Sequence, residues 1–459
     1  MVQVTTASVA PPTSLAMVRS IARLAWPTTL VMFAQIAAST FDAWMAGRLG
    51  TAALGGFALV FPFVILMQML AAGGIGGGIA AAVARAIGRG SRADAHDLAA
   101  HALIIAACFG LVFTVVMVGF GRPIFAAFAG ARSGRVDAAA VDAAVLYASA
   151  LFGGAIATWI MFALASVFRG LGDAAFPGRW MLVASMLQMP LGFVLTFGFA
   201  GWGGLGLGLA GIGVAPPLSQ FVAALLMARR IREDKGGLSL SPRVAAIRGV
   251  HFRDILRVGL LSSLSALFAS LTTMLVTAMV APYGVAALAG YGLGSRLEYF
   301  LTPLTFGIGS ALTVLVGQAV GRGEGAQARR LSLIGAAGAL GMCGAVGLLA
   351  CFAPHLWADL FTTDPSVREA TITYLRRLGP AYPFFGLGLA LAFALQGAAR
   401  VAMPVSASVL RPLVIAIAVA GGFVTSLEGL YTLAAWAIVL YGGLVLAGFL
   451  ALPIGPSRR

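Results

Sequence analysis

The sequence predicts an all-α membrane protein of twelve transmembrane helices, arranged as two parallel six-helix repeats. Its composition is the first observation: 60% of the 459 residues are hydrophobic and only 10% are charged, with a mean hydropathy of +0.98. A soluble domain of this size would need far more charge to cover its surface. The second and third observations are a series of long apolar runs and an internal repeat.

The apolar runs are each long enough to cross a bilayer, for which about 20 residues are needed. We place them at residues 21–46, 53–84, 97–120, 141–168, 175–199, 205–228, 254–281, 286–319, 331–353, 371–398, 404–424 and 432–453. A polar, basic stretch interrupts the series after the sixth run. We therefore expect an N-terminal lobe over residues 1–228, a cytoplasmic linker over 229–253 and a C-terminal lobe over 254–459.

The charge of the chain predicts its orientation. The net charge is +15, and most Lys and Arg residues fall in the connections that lie on the same side as the linker. Cytoplasmic loops carry such an excess of positive charge, so we expect a multi-pass protein of the inner (cytoplasmic) membrane with both termini in the cytoplasm. Nothing beside the basic linker resembles a DNA-binding motif, so the lipid bilayer rather than nucleic acid is the expected partner of this charge.

The two halves repeat each other. Residues 50–58 (GTAALGGFA) and 284–292 (GVAALAGYG) are identical at five of nine positions, at an offset of 234. Residues 86–95 and 319–328 match at six of ten positions at an offset of 233, and Tyr147 and Tyr374 are related by an offset of 227. Since each half has an even number of spans, both enter the membrane from the same side and the repeats are parallel. Two such bundles leave a cleft that can open alternately to either side.

A carboxylate in the first span is the strongest functional signal. Gln35, Ser39 and Asp42 follow each other at i, i+4 and i+7, so they share one face of a helix. An acid within an apolar span is costly and usually functional. Because burial disfavours the charged form of a carboxylate, such a group can exchange a proton or hold a monovalent cation. The alternative is an interfacial Asp at the outer end of the helix.

Two further features bear on this helix and its counterpart. Pro27 removes one backbone hydrogen bond and predicts a kink, which would provide a hinge about four turns from Asp42. The repeat offset of 234 places Val276 opposite Asp42. The second half therefore lacks the matching acid, and we expect an asymmetric cation-coupling site in the N-terminal half.

Glu298 is a second carboxylate within an apolar span, and Arg296 lies two residues before it. Residues two apart on a helix do not face each other, so each needs another partner. If Glu298 lines the cleft, these residues would form part of a substrate cavity that attracts cations. If it lies at the outer helix end, it is a solvated charge. The sequence leaves both interpretations open.

No pattern predicts catalysis or a metal. The four His and three Cys residues lack metal-ligand spacing, and no Ser-His-Asp or paired-carboxylate arrangement is evident. Glycine-rich stretches at 73–78 and 201–213 follow no strand and precede no GK[ST], so close helix packing explains them better than phosphate binding. We expect no enzyme activity, no cofactor and no metal.

The order of several stretches resembles the multidrug and toxic compound extrusion (MATE) family. They are WPTTL, FDAWMAGRLGTAAL, ARAIGRG, FRGLGDAAFPGR, GLGLAGIGVAPPLSQ, YGLGSRLEYF and LVGQAVGRG. The resemblance implies two six-helix lobes around a V-shaped central cavity, and antiport of small amphipathic, often cationic compounds against H+ or Na+ by alternating access. It also implies that Asp42 is the coupling acid and that Pro27 is the proline whose kink accompanies its protonation. We expect the protein to act as a monomer.

Departures from the family pattern favour H+ as the coupling ion. An Asn and an Asp of the family's fifth helix correspond to Gln188 and Gly192, so Gln188 joins the predicted coupling site and one acid is missing. Some members carry acids in helices seven and ten, where this chain has Phe268 and Phe385. A bound Na+ prefers several oxygen ligands with negative charge. We therefore expect H+ rather than Na+.

Other functions remain as alternatives. A lipid-linked precursor flippase of the same superfamily would want a strongly cationic cavity, whereas few Arg residues lie within the spans. Another twelve-helix fold with parallel halves would show an acidic–basic signature in the loop at residues 85–95, which is absent. A membrane enzyme would need clustered His, Cys or carboxylates.

Overall fold

The structure is a computed structural model that describes residues 13–133, 137–198, 206–233 and 248–453. All regular elements in these ranges are helical. The first half contains α1 (Ser14–Arg48), α2 (Thr51–Met69), α3 (Ile75–Gly88), α4 (Arg92–Gly119), α5 (Gly121–Ser133), α6 (Ala138–Gly153), α7 (Ala155–Gly170), α8 (Ala175–Phe197) and α9 (Leu209–Glu233). The second half contains α10 (Gly249–Val280), α11 (Val285–Gly321), α12 (Gly325–Phe352), α13 (His355–Ala358), α14 (Pro365–Leu378), α15 (Tyr382–Gly397), α16 (Ala402–Ala420) and α17 (Leu427–Ala451).

These helices supply the predicted number of membrane spans. Eleven helices or joined helices in the described ranges are long and apolar enough to cross a bilayer. A twelfth results when α6 and α7, which meet at an angle of 46°, form one bent span. The break falls at Gly154, the residue between the two helices. The predicted all-α membrane class is confirmed. The linker prediction falls mostly on residues 234–247, outside the described ranges, so the domain boundaries stay predictions.

Apolar side chains face outward along the spans. On α4, Leu111, Val112 and Val115 are each more than half exposed. Such a surface would be unfavourable in water but is the ordinary surface of a helix in lipid. The interior of each half is instead filled by alanine together with aliphatic, methionine and aromatic side chains, and small residues let helices pack closely in a bilayer.

The second span changes its helical geometry where its glycines are. A π-helical segment, Leu70–Gly74, joins α2 to α3. A Cβ added to Gly74 would lie 2.1 Å from Ser263 Oγ of α10, and one added to Gly77 would lie 2.4 Å from Gln396 Nε2 of α15. Larger residues would therefore collide with the second half. The glycine-rich stretch at 73–78 is a helix-packing surface, as the sequence predicts.

The packing between the two halves follows their repeat. The contact between Gly74 and Ser263 has a repeat-related counterpart between Gly307 of α11 and Thr29 of α1. A Cβ added to Gly307 would lie 2.0 Å from the Thr29 Oγ1. Close to the other end of the same helices, Gly88 of α3 and Gly321 of α11 meet. A Cβ at Gly88 would lie 2.9 Å from the Gly321 Cα. The two halves therefore form two packed lobes related by the predicted repeat.

The lobes are joined by polar contacts where α3 and α11 end and α10 begins, a region that we name the linker end. Arg85 Nη2 donates to Asp254 Oδ1 at 2.6 Å, and Arg85 Nη1 donates to the Gly397 carbonyl at 3.1 Å. The repeat-related contact joins Gln318 Nε2 to the Gly170 carbonyl at 3.4 Å. Both halves thus reach across the interface at this end, and Arg85 of the first half also forms an ion pair with the second.

Candidate functional site

Asp42 lies inside the first lobe. Its side chain is buried, with 4% of the residue surface exposed, because its face of α1 packs against α8. Gln188 Nε2 of α8 donates a hydrogen bond of 2.7 Å to Asp42 Oδ2. Gln35 and Ser39 line the same pocket. The structure thus brings together all four residues that the sequence singles out for the coupling site.

One oxygen of this carboxylate has no partner. Among the described residues, none donates a hydrogen bond to the buried Asp42 Oδ1. Buried polar atoms are nearly always hydrogen-bonded, and an unpaired one has a free-energy cost. A proton on Oδ1 would remove the negative charge, and a cation beside it would balance that charge. The oxygen is therefore the point at which the site can accept either.

A pocket opens beside Asp42. It has about 50 Å³ of space for water-sized molecules, which is room for a few waters rather than for a drug-sized compound. Aromatic, methionine and polar side chains share its wall, which suits amphipathic compounds. Besides the residues already named, the wall includes Phe57, Phe61, Val64, Met67, Gln68, Tyr147, Leu151, Thr158, Met161, Met181, Ala184, Ser185, Pro216, Pro217 and Gln220.

Several of these polar residues were missed by the sequence reasoning. Thr158 Oγ1 of α7 donates to Gln220 Oε1 of α9 at 2.5 Å. Tyr147 of α6 is buried and packs its ring 5.3 Å from that of Phe57. Each is a polar side chain within an apolar span, and this feature of the sequence could have marked it as a site residue. The repeat pairing of Tyr147 with Tyr374 does not by itself predict a place in the site.

Pro27 lies inside α1, which is helical from Ser14 to Arg48. It packs against α8, where a Cβ added to Gly178 would be 3.0 Å from the Pro27 Cβ. α1 therefore contacts α8 both near Pro27 and near Asp42. The role of Pro27 as a hinge stays a prediction.

Glu298 and Arg296 have different surroundings. Glu298 turns into the second lobe, where its Oε1 accepts a hydrogen bond of 2.5 Å from the Tyr374 hydroxyl. Arg296 is exposed. The two residues point to different faces of α11 because they are two positions apart on the helix. The structure therefore gives them separate surroundings, as their spacing predicts, and their place in a substrate cavity stays a prediction.

Comparison with known proteins agrees with this architecture. The family model MatE matches residues 27–194 and 262–420. The chain is 23% identical over 424 residues to the FAD transporter of Shewanella oneidensis, covering 90% of each chain. It is 25% identical over 320 residues to the probable multidrug resistance protein NorM of Thermotoga maritima, covering 69% of this chain and 66% of the relative.

A solved structure shares the fold over nearly its whole length. The MATE transporter VcmN of Vibrio cholerae in its bent form superposes with a TM-score of 0.85 at 20% identity, covering 95% of this chain and 97% of VcmN. The family model spans both lobes, including the helices that hold Asp42 and Gln188. The chain belongs to the MatE family of multidrug and toxic compound extrusion transporters.

Proposed function

We propose that this protein is a secondary antiporter that exports small amphipathic, often cationic compounds in exchange for protons, with Asp42 as the coupling carboxylate. The observation that carries the proposal is the unpaired, buried Oδ1 of Asp42 beside a pocket lined by aromatic, methionine and polar side chains. A charged carboxylate there attracts a cationic substrate. A proton on the same oxygen removes that attraction, so that substrate and proton compete for one site.

Competition alone does not move a substrate, so the lobes must also change their arrangement. Alternating access by parallel repeats is largely a rocking of one bundle against the other. The contacts at the linker end hold the lobes together there and would separate in the opposite state. Asp42 can bias this equilibrium only if protonation changes the energies of the two states differently. A bend of α1 at Pro27 against α8 is the proposed link.

The surroundings of Asp42 support H+ as the coupling ion. A sodium site would be expected to gather several oxygens, including further carboxylates. Gln188 presents its amide nitrogen to Asp42, and the neighbouring Gly192 contributes no side chain. A proton needs only the free lone pair of Oδ1. We propose H+ rather than Na+ for these reasons.

The relatives support an exporter but differ in substrate. Their names include a FAD transporter and multidrug resistance or export proteins. The excess of Lys and Arg in connections on the linker side supports a cytoplasmic position for that side and for both termini. We propose that the protein acts as a monomer in the inner membrane, with the linker end in the cytoplasm.

The test is transport by purified full-length protein in liposomes with independently imposed pH and sodium gradients. Ethidium and norfloxacin are suitable probes. Asp42→Asn should lower export at least tenfold, an order of magnitude that corresponds to about 1.4 kcal/mol of coupling free energy. Asp142→Asn is the matched control, because Asp142 is an exposed acid of the same lobe that pairs with Arg122.

Two outcomes would contradict parts of the proposal. Export by Asp42→Asn at the rate of the unmodified protein would show that this carboxylate does not couple transport. Export by the unmodified protein that follows only the sodium gradient would leave the antiporter function standing and overturn the choice of H+.

A further inference from the structure

A second group of polar side chains lies inside the second lobe. The Tyr374 ring packs edge to face against those of Tyr291 and Tyr431, at 5.4 and 5.1 Å between centroids. Arg411, near the middle of α16, places its guanidinium 5.7 Å from the centre of the Tyr441 ring. We name this group the tyrosine cluster. It consists of Glu298, Arg411, Tyr291, Tyr374, Tyr382, Tyr431 and Tyr441.

The repeat gives the tyrosine cluster a counterpart in the first lobe. At the offsets of 234 and 227, Glu298, Tyr374 and Arg411 correspond to Val64, Tyr147 and Ala184. These three counterparts all line the pocket of Asp42. The cluster therefore occupies the place in the second lobe that the Asp42 pocket occupies in the first.

Three donors of the cluster have no acceptor. Arg411 Nε and the hydroxyl groups of Tyr382 and Tyr431 are buried and have no hydrogen-bond partner within the described part of the chain. The two tyrosines are 1% and 0% exposed, so bulk solvent does not satisfy them. Arg411 as a whole is half-buried, but a buried polar atom without a hydrogen-bond partner still carries a free-energy cost. Such a group of donors is what an anionic acceptor would satisfy.

Glu298 fills this need only in part. Its Oε1 accepts a hydrogen bond from the Tyr374 hydroxyl, and it interacts electrostatically with both Tyr382 and Arg411. However, no ion pair within 4.0 Å joins Glu298 to Arg411 in the described residues, and the Tyr382 hydroxyl lacks hydrogen-bond geometry. If Arg411 only neutralised Glu298, direct contact between them would be expected. Arg411 Nε is instead left without an acceptor, and a guanidinium is a donor group that suits a carboxylate.

The nearby negative charge limits which anion fits. Glu298 would repel a phosphate with two charges more than a carboxylate with one, and it could attract an ammonium group of the same ligand. We propose that the tyrosine cluster binds the carboxylate of an amphoteric substrate through Arg411, with Tyr382 and Tyr431 as further donors. This proposal deepens the transport function and rests on it, since the bound molecule is the exported one.

The test compares norfloxacin, which carries a carboxylate and an ammonium group, with its methyl ester. Binding of both to the purified full-length protein is measured by titration calorimetry or fluorescence polarisation. We expect the acid to bind about tenfold more tightly than the ester, the size of one charge-assisted hydrogen bond. In Arg411→Gln the ratio should fall to about one, and Arg411→Lys should restore part of it. Arg376→Gln is the control, because Arg376 is an exposed arginine on α14 close to Tyr374.

A second variant, Tyr382→Phe, distinguishes a folding defect from loss of the binding site. It removes one hydroxyl group that has no hydrogen-bond partner and changes no charge. It should lower the acid-to-ester ratio about threefold, in line with one lost neutral hydrogen bond. An acid-to-ester ratio near one in the unmodified protein, or a ratio that Arg411→Gln leaves unchanged, would overturn the inference. Ethidium export in the same preparations tests the transport function separately, because ethidium has no carboxylate.

Discussion

The ion pair at the linker end offers the sharpest test of how the lobes are held together. Arg85 of the first lobe and Asp254 of the second approach to 2.6 Å, with side-chain exposures of 8% and 35%. The repeat counterpart of Arg85 is Gln318, which keeps the carbonyl contact and forms no ion pair. Arg85→Gln therefore gives the first lobe the chemistry of the second and removes only the charge pair.

The magnitude follows from the exposure of the two partners. Breaking a fully buried ion pair by removing one member costs about 3–5 kcal/mol, whereas an exposed pair is worth about 0–1 kcal/mol. Arg85 is buried but Asp254 is about one third exposed, so water would hydrate the remaining carboxylate. We expect a loss of about 1–2 kcal/mol from the state closed at the linker end, which is a factor of about 5–30 in its population.

The change is measured as a distance between the lobes. Spin labels at Arg89 and Arg322 suit this purpose, because both side chains are exposed near the linker end and are related by the repeat. Their separation is recorded by double electron–electron resonance in nanodiscs, in a chain whose native cysteines are replaced. Arg85→Gln should raise the long-distance population about tenfold, for a cost near 1.4 kcal/mol.

The double variant Arg85→Gln with Asp254→Asn shows whether the shift belongs to the pair. It should match either single variant, since the interaction is lost only once. Arg122→Gln breaks an ion pair between exposed partners and should leave the distances unchanged. Distance distributions that are identical for Arg85→Gln and the parent would refute the idea that this ion pair holds the lobes closed.

Two further substitutions test the packing and the coupling site. Gly88→Ala should open the linker end and lower thermal stability by about 1–3 kcal/mol, because its Cβ would lie 2.2 Å from the Gln318 carbonyl oxygen. Gly341→Ala on α12 is the control, because a Cβ there would have no atom within 4 Å. Equal melting temperatures for the two variants would contradict the predicted collision. Gln188→Leu removes the hydrogen bond that Gln188 donates to Asp42 Oδ2. We expect a cost of about 1–3 kcal/mol when the carboxylate is charged, seen as lower stability and slower ethidium export. Unchanged values of both would show that this hydrogen bond has no energetic weight.

Much of the architecture was predictable because its signals are local. Hydropathy and length identified the membrane spans, and the repeat related the two halves without any structure. Polar residues at helical spacing placed Gln35, Ser39 and Asp42 on one face, and the structure shows all three on one pocket wall. The same spacing argument separated Arg296 from Glu298, and the structure places the two on different faces of α11.

Contacts between distant spans were not predictable from residues alone. Thr158 and Gln220 are 62 residues apart, and neither has a partner on its own helix that would reveal the hydrogen bond. The tyrosine cluster gathers side chains from five helices of the second lobe, α11 and α14 to α17. Such groups depend on how each helix is rotated about its axis and where it crosses its neighbours.

By itself, the sequence determined the membrane class, the twelve-span repeat and the presence of a costly acid in the first span. These depend on composition, periodicity and offset, which are properties of the chain read in order. Only the tertiary structure decided that Asp42 keeps one unpaired oxygen, that Arg85 reaches Asp254, and that Arg411 lies among tyrosines. The reason is that hydrogen bonding and burial depend on which atoms of other helices come within a few ångströms, and helix packing sets that distance.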